Sequence, residues 1–136
     1  MAAACIALAA GAAFVVLPTS AATLTWTHTV ENTGWEEDYS ASADGLTLTE
    51  ARIEAIGAGM EPPSSAVREG GWWRYRPSLP PLPAIQLANS IFAGGYSLCW
   101  NAECRPLASV VPQGERVSIV AADCSVAVPP PLATGR

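Results

Sequence analysis

Four ionisable side chains stand out by the company they keep. His28, Glu37, Glu50 and Arg52 alternate with polar neighbours in a pattern whose same-side positions otherwise hold Trp26, Trp35, Tyr39 and leucines. An imidazole, two carboxylates and a guanidinium on an apolar face are costly to desolvate unless they pair with one another or meet a ligand. Two chemistries follow. Glu37 can bridge His28 and Arg52 as a satisfied polar cluster that sets strand register. Alternatively, the same groups form a pocket walled by aromatic rings, in which Arg52 holds the carboxylate or phosphate of a small organic anion. His28, Glu37, Glu50, Arg52, Trp26, Trp35 and Tyr39 are the ligand-binding candidates.

The elements that must position them are strands. Two-residue alternation recurs from Leu24 onward and no long helical period is visible, so the class is all-β, an antiparallel meander forming a sandwich or a partly open barrel. Leu24, Trp26, His28 and Val30 share one face, with threonines on the other. A hairpin closed at Asn32-Thr33 sets Val30 opposite Trp35, His28 opposite Glu37, Trp26 opposite Tyr39 and Leu24 opposite Ala41. Asp44-Gly45 predicts a second hairpin, with Ala41 against Leu48, Tyr39 against Glu50 and Glu37 against Arg52. Further on, Gly57 to Pro63 is a loop, Trp72 to Arg76 a strand with its arginines on the wet face, and Pro77 to Pro83 a polyproline-like spacer. Ala84 to Ala88, Tyr96 to Trp100, Cys104 to Val111 and Arg116 to Ala122 complete the meander.

Other chemistries fit less well. A metal site from His28, Glu31, Glu36 and Glu37 fails because alternation puts Glu31 and Glu36 opposite His28. Glu31, Glu36 and Asp38 read as a solvated acidic rim rather than a calcium site. No cofactor is expected. The chain has one histidine and no Gly-x-Ser-x-Gly elbow, a small domain offers little cleft for Glu37 and Glu50 as an acid and base pair, and Gly57-x-Gly59 lacks a third glycine, so a non-catalytic role is expected. Seven arginines and no lysine against twelve acidic residues give a net charge of −5, which argues against nucleic acid as a partner.

Residues 1–22 carry an uncharged apolar run, Ala2 to Leu17, followed by Pro18-Thr19-Ser20-Ala21-Ala22, the pattern of a cleavable export signal. An uncleaved membrane anchor is the competing reading, but the run is short of the ~20 residues that span a hydrocarbon core, which favours cleavage. Cleavage after Ala21 or Ala22 leaves a single β domain at 23–127 and a loose tail at 128–136, in a periplasmic or other extracytoplasmic, disulfide-permitting compartment. Cys5 leaves with the signal. A two-residue turn at Asn101-Ala102 then places Cys99 opposite Cys104, the first choice for a disulfide, while Cys124 is the alternative partner for either.

Trp26-Thr27-His28-Thr29-Val30-Glu31, Trp35-Glu36-Glu37, Glu50-Ala51-Arg52, Gly57-Ala58-Gly59-Met60 and Gly71-Trp72-Trp73 resemble the bacterial domain-of-unknown-function 1850 family over nearly the whole mature chain. The resemblance implies an exported protein and an association with TAXI-type tripartite transporters, whose soluble receptors capture small organic anions. It therefore implies an accessory or interaction protein at a periplasmic solute-uptake system. The partner would be a membrane transporter component or its solute receptor, and Trp72 and Trp73 are candidate exposed docking residues. His28, Glu31, Glu37, Glu50, Arg52, Gly57 and Gly59 match the family's motifs, and the resemblance assigns none of them a role.

Overall fold

Runs rich in threonine, valine, leucine and aromatics pair into strands because their side chains suit a pleated, half-buried surface. The computed structural model describes residues 3–28, 33–54, 65–88 and 95–126. Within them the strands are β1 (Ala4–Ala10), β2 (Ala13–Val16), β3 (Ala21–His28), β4 (Thr33–Ser42), β5 (Gly45–Glu54), β6 (Val67–Glu69), β7 (Trp72–Tyr75), β8 (Ile85–Leu87), β9 (Ser97–Trp100), β10 (Glu103–Pro106) and β11 (Val117–Asp123). A seven-stranded sheet has the order β10-β9-β3-β4-β5-β7-β6, and a four-stranded sheet the order β2-β1-β11-β8. The all-β expectation holds, and of the two architectures the sandwich is the one formed.

The meander holds for β3, β4 and β5 but not beyond. β8 and β11 cross to the small sheet, while β9 and β10 join the large one beside β3. Cys104 to Val111, expected as one strand, divides into β10 and a 3-10 turn at Leu107–Ser109, where Pro106 ends the ladder. The Gly57 to Pro63 loop, Val30, Glu31 and the tail from Val128 lie outside the described residues.

The core lies between the sheets. Ile6, Leu8 and Leu17 from the small layer meet Leu24, Tyr39, Leu46 and Leu98 of the large one, and Leu107, Val110 and Val111 join the same cluster. Ile6, Leu8, Leu17, Leu24, Leu46, Leu98, Leu107 and Ile119 are at most 2% exposed, and each buried aliphatic side chain contributes about 1.5–3 kcal/mol. A second cluster on the far side of the small sheet joins Cys5, Ala7 and Val16 to Val120, Ala122 and Cys124. Thus residues 4–16, read from sequence as part of a signal, form a hairpin whose first strand is buried on both faces.

Both hairpin registers differ from expectation. β3 and β4 pair as Trp26↔Trp35, Leu24↔Glu37, Ala22↔Tyr39 and His28↔Thr33. This is a four-residue slide that keeps every residue on its expected face but changes every partner, because residues 29–32 connect the strands in place of a two-residue turn. The slide stacks Trp26 on Trp35, with ring centroids 5.7 Å apart and planes at 14°. The second correction changes a face. β4 and β5 pair as Ala41↔Leu46 and Tyr39↔Leu48, then as Asp38↔Glu50, Glu37↔Ala51 and Glu36↔Arg52, with an irregularity between Asp38 and Tyr39. Thr49 is the extra residue of this β-bulge, and its hydroxyl donates to the Asp38 carbonyl at 3.2 Å. Beyond it, Ala51 and Ile53 point inward, and Glu50 and Arg52 point out.

Turn chemistry behaves as read. Asn101 and Ala102 both take positive φ, 53° and 65°, in the two-residue turn that brings Cys99 opposite Cys104. Gly45 has φ 122° and sits where a Cβ would lie 2.4 Å from the Leu82 carbonyl oxygen, so only glycine lets the Pro-rich spacer pair with Leu46.

Candidate functional site

The bulge separates the predicted cluster into two sites on opposite faces of the large sheet. On the outer face Arg52 is enclosed by carboxylates. Its Nε donates to Glu36 at 2.7 Å, its two terminal nitrogens grip Asp38 at 2.9 and 2.8 Å, and one also reaches Glu50 at 2.5 Å. Thr23 adds a hydroxyl to Asp38 at 2.7 Å. The Arg52 bonds hold the Asp38 carboxyl below its ordinary value against the opposing effect of partial burial, and the Asp38 carboxylate in turn raises Arg52. Arg76 and Arg74 reach Glu50 at 3.4 and 3.7 Å, and Arg74 pairs with Glu69 at 2.8 Å. Arg74 of β7 and Arg76 just beyond it thus lie on the outer face, as the alternation predicts.

With its bidentate fork and Nε all engaged, Arg52 is a tie across β4 and β5. Glu37 does not meet it, and the expected His28, Glu37 and Arg52 bridge is not formed by these strands. A shallow groove of about 500 Å³ beside the network is lined by Thr23, Asp38, Thr49 and Asn101, among others, and its one charged lining residue, Asp38, is already bound to Arg52.

The inner face holds the second site. Leu24, Glu37, Ala51 and Tyr75 form one cross-strand row, and Trp26, Trp35, Ile53 and Trp73 the next. Tyr39 lies in the row on the core side of Glu37, only 6% exposed, and donates its hydroxyl to Glu37 Oε1 at 2.7 Å. Burial, with that bond second, pushes the Tyr39 phenol well above its usual range, and burial followed by the Glu37 charge raises Tyr75. Tyr96 packs on Trp26 with centroids 5.4 Å apart. The structure therefore keeps Trp26, Trp35, Tyr39 and Glu37 together and adds Tyr75, Trp73 and Tyr96. His28 places its backbone at the end of the same face, opposite Thr33. Alternation with Arg74 and Arg76 on the wet face puts Trp73 and Tyr75 on the dry one, against the expectation of Trp73 as an exposed docking residue, and the long-range pairing of β7 with β5 sets both rings beside Glu37.

Two polar groups on this face lack the expected counterpart. Glu37 has no cationic partner among the described residues, although six of the chain's seven arginines are described and lysine is absent. The Trp35 Nε1 donor is buried without a hydrogen-bond partner among the described residues. Trp72 lies on the other face, its ring 2.9 Å from where a Cβ on Gly34 would stand, while the Gly34 amide donates to Glu54 at 3.0 Å. Trp72 and Trp73, expected as exposed docking residues, are both half-buried.

Cys99 pairs with Cys104, as the hairpin spacing predicts, and Cys5 pairs with Cys124. No helix among the described residues is long and apolar enough to cross a membrane.

No curated protein and no solved structure matches this chain. Residues 22–107, spanning β3 to the start of the 3-10 turn and so holding both sites, match the family described as Domain of unknown function (DUF1850). The motifs that suggested this resemblance lie within the matched stretch, and the chain belongs to that family.

Proposed function

We propose that this protein is a non-catalytic, extracytoplasmic binding module whose recognition site is the aromatic half of the inner face around Glu37. The group it takes is an organic cation, a guanidinium or ammonium. In the accessory role that the family resemblance implies, this cation is an arginine or lysine side chain of a transporter component or of its solute receptor. One observation carries the reading: Glu37 is a partly buried carboxylate without a cationic partner among the described residues, beside the stacked Trp26 and Trp35. Ring faces attract cations, and a carboxylate at their edge adds a charge-assisted hydrogen bond. The unpartnered Trp35 Nε1 offers a donor to an acceptor on the same ligand. Two disulfides support an oxidising compartment. The small-anion alternative relied on a free Arg52 and now has no observation in its favour.

Guanidinium and amine probes such as agmatine and arginine methyl ester are expected to raise the melting temperature of the purified protein, and dicarboxylates to leave it unchanged. Glu37→Gln is expected to weaken probe binding by about tenfold to a hundredfold, the value of one charge-assisted bond, at nearly unchanged stability. A photo-crosslinker at position 73 is expected to capture a transporter subunit or receptor in cell envelopes. Equal binding of the probes by Glu37→Gln would sink the cation reading. Probe binding without a crosslink would leave a site for a free small cation and remove the accessory role.

A further inference from the structure

We infer that residues 3–20, despite the composition of an export leader, stay in the working protein as a permanent layer of the sandwich, closed by the Cys5–Cys124 disulfide. The segment is not draped on a finished domain. β1 is an interior strand of the small sheet, between β2 and β11, and pairs with β11 from Ala4↔Asp123 to Ala9↔Ser118. Ala7, Leu8 and Leu17 are fully buried, and Ile6 and Val16 are 1% exposed.

Its alternation is sided in a way that an export leader does not require. Ile6, Leu8 and Ala10 enter the main core, whereas Cys5 and Ala7 enter the second cluster with Val16, Val120 and Cys124. The expected cut sites also lie inside structure. Ala21 and Ala22 begin β3, opposite Ser40 and Tyr39, and Ala22 is 7% exposed. Cutting there removes β1 and β2, leaves β11 with only the short β8 beside it, and uncovers Leu24, Leu46, Leu98, Val117 and Ile119.

Cysteine pairing gives an independent reason. Cys99 and Cys104 bond to each other, so loss of Cys5 would leave Cys124 as an odd thiol in an oxidising compartment. With Cys5 present, all four cysteines pair. The inference concerns residues 3–20 themselves and holds whatever segment directs export.

The test uses the full chain expressed in a bacterial host. Folded protein from whole cells is mapped by intact mass and by non-reducing peptide mass spectrometry. The expected result is a chain that retains Cys5, with the Cys5 and Cys124 peptides linked until reduction. A folded chain beginning at Ala22 or Thr23, with a Cys124 thiol that alkylates without reduction, would overturn the inference. A second arm does not depend on export: a chain made to begin at Ala22 is expected to lose the cooperative thermal transition of the full chain. An unchanged transition would equally overturn it.

Discussion

At the scale of residues, two carboxylates one position apart have opposite fates because alternation sends them to opposite faces. Glu37 looks inward to Tyr39 and the tryptophans, and Asp38 looks outward to Arg52. The pH behaviour of the fold should follow Asp38. Its folded-state carboxyl lies below the unfolded value of about 3.9. Its contribution is therefore fully present above that value and is lost as pH falls through the lower folded value. Asp38→Asn is expected to flatten the acid limb of a pH-dependent urea unfolding series below about pH 4. A limb as steep as that of the unaltered chain would show that Asp38 is not the group responsible. Arg52→Met leaves Glu36, Asp38 and Glu50 crowded without their common cation and is expected to cost about 1–3 kcal/mol, with no loss of cation binding at Glu37.

At the scale of elements, the bulge in β5 decides which side chains form a site. Before it the inward residues are Leu46 and Leu48, after it Ala51 and Ile53, and one extra residue, Thr49, makes the change of parity. Deleting Thr49 restores unbroken alternation with every inward residue still inward. It is expected to preserve the fold at a cost of about 1 kcal/mol, roughly the bond from Thr49 to the Asp38 carbonyl. Deleting Thr47 instead turns buried Leu46 toward solvent and is expected to unfold the protein. Far- and near-ultraviolet circular dichroism of the two deletions separates these outcomes. Comparable spectra for both would show that the bulge does not set the faces. The apolar parity shift between Leu48 and Ala51 is visible in the sequence and was the signal for this bulge. Strict alternation through Glu50 and Arg52 overrode it, because a two-residue period carries no provision for an inserted residue.

At the scale of the whole molecule, the Cys5–Cys124 bond joins residues 119 apart and ties the first strand to the end of the last. Closing so long a loop restricts the unfolded chain, and Cys5→Ser is expected to lower unfolding stability by about 2–5 kcal/mol in urea titration. Opening the Cys99–Cys104 bond, which spans a sequence separation of 5 in a hairpin already turned by Asn101-Ala102, is expected to cost less. The reverse order would argue that the hairpin disulfide is the principal constraint. The family match begins at residue 22, so it covers most of the large sheet while the small sheet is built mainly from residues outside the match.

Local pattern by itself determined the all-β class, the faces of β3 and β4, the outward side of Arg74 and Arg76, the Cys99–Cys104 hairpin and the family. Each is a matter of period, turn residues or short spacing, written within a few positions of the chain. The partners across β3, β4 and β5 were decided by tertiary structure, through the connection at residues 29–32 and the bulge at Thr49. So was the separation of Arg52 from Glu37, which left the carboxylate, not the guanidinium, without an opposite charge among the described residues. The pairing of residues 4–16 into a buried hairpin beside β11 was decided there as well. An uncharged apolar run suits a buried strand and a signal segment equally, and its partners, β11 and Cys124, lie too far along the chain for any local pattern to show.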